Sequence, residues 1–484
     1  MTRVALAVAA LACVLAAAVP AARAFDGTEP LAARQWYIPL DHAWDFWASQ
    51  PVLAPVRVAV IDSGIDGTHP DLMGRVVLAK SFVGGSALTD TDGHGTFVAG
   101  EIAANPTNGL GIAGIAFNAR LLIAKVVTPD GSVSLSAEAA AIHWAVDHGA
   151  RVINLSLGGV RDPVDPTLDT YSSLEQEAID YAYSKGVVIV AAVGNGPQSP
   201  HTPWPFAHYP ASLPHVIGVS AIRRDGSVPL YSNRDAIYND LAAPGDAIFS
   251  TIPQKLATFP GCTDGPYSSC GPLDFRDAIG TSFAAPQVAA AAALLLGEVP
   301  TLTPDQVSWV LERGADDENA ADGCAECPAG RDAYSGWGRL DITNALSLAT
   351  NGTPLPPHDP YEPNDDAGEW AHAVPPLPRT FTATLDYWDD DRDVYRVALH
   401  AGQRLYARLT TVTPGRVSLA LWSPQTERIE GTSAERQLAT ARRTGRQRRL
   451  AFTAPRGGIY YLAATLDGGL RNRTIYRLSL TKTP

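Results

Sequence analysis

The chain has 484 residues, 46% of them hydrophobic, and carries a formal charge of −13. That apolar content suffices for one large domain and a smaller one. The acidity excludes a general affinity for nucleic acid or anionic membranes.

The N-terminus stands apart from both domains. Met1-Thr2-Arg3 is basic, Val4 to Val19 is apolar, and Pro20-Ala21-Ala22-Arg23-Ala24 follows. This predicts a secretory signal over 1–24, cut after Ala24. The competing reading, a membrane span, needs about 20 apolar residues, and this alanine-rich run is shorter. The mature protein is therefore expected to be secreted, outside the cell or in a periplasm.

Residues 26–50 hold Trp36, Tyr37, Trp44, Phe46 and Trp47. They predict an arm packed on a core. Five short apolar runs follow: Val56 to Ile61, Leu121 to Val127, Val152 to Leu157, Val187 to Ala192, and Val216 to Ser220. Near-continuous β-branched runs suit strands buried on both faces. Helices are predicted between them at 136–148 and 172–185, with Gly149 and Gly186 as C-terminal stops. Alternating strands and helices predict an α/β fold with a parallel sheet. Reactive groups gather past the carboxyl ends of such strands, where Asp62 and Asn195 lie.

Asn351 to Pro363 is proline-rich, which predicts a semi-rigid linker over 351–365. It divides a domain over 25–350 from one over 366–484. The later region alternates at 393–399, 404–409, 417–422, 458–463 and 474–480, which predicts a small β-sandwich. The locally basic 436–449 stretch is expected to be one exposed loop.

Cys13 leaves with the signal. Cys262, Cys270, Cys324 and Cys327 remain, an even number that suggests two disulfides in an exported chain. Three pairings are possible, and the local ones, Cys262 with Cys270 and Cys324 with Cys327, are favoured. Cys324-Ala325-Glu326-Cys327 lacks the strand–helix context of a redox pair and the histidine of a zinc pair.

Ser282 opens the long apolar stretch from Val288 to Leu296. An amide-cleaving serine needs a base, and His94 fits that task because imidazole titrates near neutral pH. Asp62 would fix its tautomer and stabilise the imidazolium. The N–H of Ser282 and the amide of Asn195 would donate to the developing oxyanion. Singly, each has a bland alternative: an Asx turn, a loop histidine, a helix N-cap, a plain Asn-Gly turn. Jointly, in this order and these contexts, they point to nucleophilic hydrolysis. The Gly-x-Ser-x-Gly elbow of α/β-hydrolases is absent at Ser282, and the acid precedes the nucleophile.

The longer strings Val58-Ala59-Val60-Ile61-Asp62-Ser63-Gly64-Ile65-Asp66, His94-Gly95-Thr96-Phe97-Val98-Ala99-Gly100, Asn154-Leu155-Ser156-Leu157-Gly158 and Gly280-Thr281-Ser282-Phe283-Ala284-Ala285-Pro286 resemble the subtilisin-like serine peptidases over about residues 35–345. The resemblance implies a three-layer fold with a mostly parallel central sheet, and an endopeptidase of broad specificity acting through an acyl-enzyme. Asp62, His94 and Ser282 would be the triad and Asn195 the oxyanion residue. Ser156, Leu157 and Gly158 would form one wall of the pocket for the residue before the cut. Ala192, Val193 and Gly194 would form the other. Gly131 to Ser134 would edge an outer pocket. With no charge in either wall, an apolar or aromatic preference is expected at the residue before the cut.

The resemblance also implies structural Ca2+, held by Asp71, Asn108 and Gln35 with backbone oxygens of Pro106, Leu110 and Ile112. Phe283 stands where many relatives carry Met, which predicts resistance to oxidation. Roughly 30 residues separate Ala24 from the first strand, too few for the family's inhibitory prosegment. The C-terminal domain resembles the bacterial pre-peptidase C-terminal type of sandwich, through Asp359-Pro360-Tyr361-Glu362-Pro363-Asn364-Asp365-Asp366 and Asp389-Asp390-Asp391-Arg392-Asp393. Its acidic turn is either a calcium ligand set or a solvated turn. The expected partners are protein or peptide substrates, met by a monomer without nucleic acid or membrane. The rival readings are a catalytically silent binding protein on the same fold, and an esterase.

Overall fold

The computed structural model describes residues 29–257, 275–356, 359–368, 370–385, 390–413, 415–429, 436–466 and 473–483. The proposed signal, Cys262, Cys270 and Asp389 lie outside them.

Seven strands form the first sheet: β1 (Val56–Asp62), β2 (Val76–Ser81), β3 (Ala119–Lys125), β4 (Val152–Leu155), β5 (Val188–Ala192), β6 (Val216–Ile222) and β7 (Leu241–Pro244). Their order is β2-β3-β1-β4-β5-β6-β7, and every pairing is parallel. A short hairpin of β8 (Ile248–Thr251) and β9 (Phe275–Ala278) lies apart.

Apart from the largely exposed edge strand β2, both faces of the sheet are buried, which is why those strands read as near-continuous apolar runs. Val58 and Val60 of β1, Leu121 and Ile123 of β3, and Val190 of β5 join one core. Ala59, Ile61, Leu122, Ile153 and Ile189 join the other. The two-residue period of the strand sorts neighbours to opposite sides. The arm enters the first core through α1 (Tyr37–Leu40), Trp44 and Trp47. It is joined there by α2 (His94–Ala103), and the second core holds α3 (Leu135–Asp147) and α4 (Ser173–Ser184).

After the four-residue α5 (Gln254–Ala257) comes α6 (Ala285–Glu298), buried on every side from Ala285 to Gly297. A helix apolar all round belongs inside a core, and its five alanines at 289–293 let other elements pack closely against it. Two outer helices, α7 (Pro304–Gly314) and α8 (Ile342–Thr350), complete that layer. The α3 and α4 bounds fall within a residue of the sequence expectation. Ser134 and Ser172 cap their N-termini, and Gly149 and Gly186 follow their ends at φ 75° and 77°. Such angles suit glycine at a helix C-cap.

The C-terminal region forms two five-stranded sheets. They enclose one core of Tyr395, Leu405, Leu419, Tyr460, Leu462, Tyr476 and Leu478. This is the β-sandwich expected from the sequence. Five of its strands went unforeseen: His372–Ala373, Arg379–Leu385, Gln437–Thr440, Arg442–Thr444 and Gln447–Thr453. The last three correct the reading of 436–449 as one loop. Arginines on the outward positions of an edge hairpin hide its period-two pattern, while Arg448 and Leu450 are buried. Of the proline-rich stretch, Asp359 accepts hydrogen bonds from Thr384, and Asn364 from Val394, so its later part is tied into the sandwich. Among the described residues, no helix is long and apolar enough to cross a membrane.

Candidate active site

Asp62 ends β1, His94 begins α2, and Asn195 follows β5. Ser282 occupies a 3-10 turn, Thr281–Phe283, that leads into α6. All four line one cleft of about 560 Å³ beyond the carboxyl ends of the strands.

The close approach of β1 and α2 depends on Gly95. A Cβ there would lie 2.2 Å from the Gly64 carbonyl and 3.2 Å from the Asp62 Cβ. With no Cβ in the way, His94 Nδ1 comes to 2.9 Å from both carboxylate oxygens of Asp62. Asp62 is only 2% exposed, and its Oδ1 also accepts from the Ser63 N–H. The imidazole keeps 23% of its side-chain surface. Burial pulls its pKa down, but the Asp62 charge and hydrogen bonds, helped by Asp92 and Asp90, more than offset this and raise it to about 9. Nδ1 is thereby the protonated nitrogen facing the acid, and Nε2 is left for chemistry.

Ser282 Oγ donates to the Ser156 carbonyl at 3.3 Å and is not hydrogen-bonded to His94 in this rotamer. Ser156 Oγ donates back to the Ser282 carbonyl at 2.7 Å. Asn195 Oδ1 accepts from the Thr281 N–H at 3.0 Å and the Thr281 hydroxyl at 3.2 Å. Those two donors fix which end of the carboxamide is oxygen. Its Nδ2 donates to Gln198 Oε1 at 3.3 Å, a long bond that a substrate oxygen can replace.

Ser156, Leu157, Gly158, Ala192, Gly194 and Gly131 line the cleft. Val193 and Ser134 do not. Val193 is buried in the second core, because alternation along the chain turns it away from its neighbours. The Ser134 hydroxyl is spent capping α3, accepting from the Ala137 N–H. Among the lining residues that went unforeseen are His208, Glu138 and Glu175. Burial drives His208 down to about 4, so it is neutral, and Ser199 Oγ lies 2.8 Å from its Nε2. Phe283 points inward, 3% exposed, and packs against His94 and Phe97.

Asp71 sits at the centre of the loop named for calcium. It accepts from the Ile112 N–H and from Asn108 Nδ2, while its own carbonyl accepts from the Asn105 N–H. Burial pushes its carboxyl up to about 6. Leu110 donates its N–H to Asn108 Oδ1. Pro106 is buried within the same loop. Gln35 spends its oxygen on the Ala113 N–H. The arm residue that meets the loop with a charge is Glu29, which accepts from the Gly109 N–H and keeps a buried Oε2 without a partner. No sequence spacing marked it. A second acidic group, Glu362, Asp390 and Asp393, places carboxylate oxygens within 4.8 Å of one another. One oxygen each on Asp390 and Asp393 is buried and unpartnered. Cys324 and Cys327 are joined in a disulfide.

Comparison with known proteins agrees with this architecture. The subtilase family model matches residues 54–338, more than half of the chain. A thermophilic serine proteinase from Bacillus sp. (strain AK1) is 35% identical over 308 residues, covering 63% of this chain and 65% of that one. Subtilisin E from Bacillus subtilis (strain 168) is 39% identical over 262 residues, covering 54% and 60%. The match thus spans somewhat under two thirds of each of these relatives. A solved structure described as proteases from Pseudoalteromonas arctica PAMC 21717 aligns with a TM-score of 0.54 at 27% identity, covering 67% of this chain and all of that one. The chain belongs to the subtilase family of peptidases.

Proposed function

We propose that the protein is a secreted serine endopeptidase in which Ser282 is the nucleophile, His94 the general base and Asp62 its orienting acid. The observation that carries this reading is the double 2.9 Å contact of His94 Nδ1 with Asp62, in a cleft that also holds Ser282 and Asn195. A turn of the Ser282 side chain away from Ser156 brings its hydroxyl to His94. The imidazole then takes its proton as Oγ attacks the substrate carbonyl. Asn195 Nδ2 and the Ser282 N–H steady the oxyanion. The imidazolium hands its proton to the leaving amine, and water repeats the sequence on the acyl-enzyme.

A substrate would lie extended between the Gly131 side and the Ser156–Gly158 side of the cleft, pairing as an added strand. Leu157, Ala192, Gly194 and neutral His208 favour an apolar or aromatic residue just before the cut. Export is supported by the signal-like N-terminus and by the disulfide, which persists in oxidising compartments. In this reading the chain divides into a signal (1–24), a catalytic unit (25–350), a linker (351–365) and a sandwich (366–484); separate sheets and cores support the catalytic unit and the sandwich as distinct.

Calcium fits two places by donor chemistry. Asp71 and Glu29 are buried acids facing one loop, and Glu362, Asp390 and Asp393 bring carboxylate oxygens close together, with one oxygen on each of the two aspartates unpartnered. Hard oxygen donors of this kind suit Ca2+, which would neutralise the acids and tie loop to arm or strand to strand.

Reaction with a fluorophosphonate tests the assignment. Mass spectrometry should find the adduct on Ser282 alone, and His94→Ala should abolish it. An intact, folded protein that takes no label would leave only a silent binding protein.

A further inference from the structure

Two helices carry a glutamate where an apolar residue belongs. On α3 the buried stripe reads Glu138, Ala141, Ile142, Ala145, and on α4 it reads Glu175, Ala178, Ile179, Ala182. Both follow the i, i+3, i+4, i+7 spacing of a core-facing stripe. Each glutamate is 2% exposed, and both line the cleft.

The two carboxyls face each other, and Glu138 Oε1 and Glu175 Oε2 are buried with no N–H or hydroxyl of the described chain to serve them. Burial raises both pKa values, and no cation of the described chain acts on either. Position in the first turn of a helix favours a carboxylate. It does not explain two acids facing each other with an oxygen apiece unserved, since such an oxygen loses its hydration without recompense. The walls of this part of the cleft are apolar: Val127 and Val133, bridged to each other across the Thr128–Ser132 turn, with Leu135 and Leu157. Apolar walls above an acidic floor match a long aliphatic stem that ends in a cation.

We infer that Glu138 and Glu175 form the floor of an outer substrate pocket that takes a lysine or arginine side chain upstream of the residue before the cut. This rests on the peptidase reading and adds a second determinant of specificity. The ammonium or guanidinium of the substrate would supply the donors that the unserved oxygens lack, and the pair would give up its shared proton to form a charge-assisted contact. An apolar side chain of equal length would fill the walls and leave the floor unsatisfied.

The test is a peptide series with phenylalanine before the cut and, at each of the next four upstream positions in turn, lysine, arginine, norleucine or alanine. The expected result is one position at which lysine or arginine exceeds norleucine in kcat/KM by tenfold or more. At that position, Glu138→Gln combined with Glu175→Gln should bring the lysine-to-norleucine ratio close to one. Equal cleavage of lysine and norleucine peptides at all four positions by the unaltered protein overturns the inference, as does a ratio that survives the double substitution. No cleavage of any peptide, alanine series included, would instead count against the peptidase reading.

Discussion

Ser156 and Ser282 exchange hydrogen bonds: Ser156 Oγ reaches the Ser282 carbonyl at 2.7 Å, and Ser282 Oγ reaches the Ser156 carbonyl at 3.3 Å. The first bond clamps the turn before α6 to the segment after β4. The second is long and readily exchanged. Ser156→Ala removes the clamp while leaving the carbonyl in place. A loss of about 1 kcal/mol, or roughly fivefold in kcat/KM, is expected. Steady-state kinetics on a peptide substrate checks it.

The pH profile follows from His94. Only the neutral imidazole can accept the Ser282 proton, and its pKa is raised to about 9. Activity should therefore climb with pH through a midpoint above the ordinary 6.5, toward the alkaline side. Asp62→Asn removes the charge that raises it, so the midpoint should fall while kcat drops by about 10⁴. The same pair carries a stability effect of opposite sense. A raised histidine stabilises fully below its unfolded pKa and loses that contribution as pH rises through about 9. A kcat/KM–pH profile of both proteins, with thermal midpoints across the same range, tests the signs.

Asn195→Ala should lower kcat by about 10²–10³ with little change in KM, the size expected for one oxyanion donor. Thr281→Val should cost less, roughly fivefold, because it removes one of the two bonds that orient the Asn195 amide. Equal losses from both substitutions would argue that Thr281 does more than orient.

Chelation should lower the thermal midpoint. A site filled at 100 times its dissociation constant adds about 2.7 kcal/mol, so a fall of several degrees is expected. Glu29→Gln should shrink that chelator effect if the arm site is filled. Calorimetry with and without EDTA reads both. A midpoint indifferent to EDTA would argue that neither acidic place holds calcium.

Mild peroxide should leave most activity intact, because a phenyl ring packs against His94 where a thioether would be open to oxidation. Phe283→Met should lose activity in the same assay.

The strands that place the site were legible because both faces of the sheet are buried, so Val58 to Ile61 and Val187 to Ala192 carry no polar interruption. Asp62, His94, Asn195 and Ser282 were legible because each lies within two residues of a glycine at a strand end or helix start. Glu138 and Glu175 were equally visible as charges on apolar stripes, but each helix looks unremarkable until the other is packed against it. Glu29 gave no sign, since its neighbours at 109 and 71 are distant in sequence. The edge hairpin at 442–449 escaped because its outward arginines imitate a solvated loop. Val193 and Ser134 were placed in the cleft by adjacency to true lining residues. Strand alternation and a helix cap direct them elsewhere.

The most direct test is casein hydrolysis by the purified protein and by Ser282→Ala, each verified as folded by circular dichroism. The account predicts ready digestion by the first and none above background by the second. Unimpaired digestion by Ser282→Ala would contradict it.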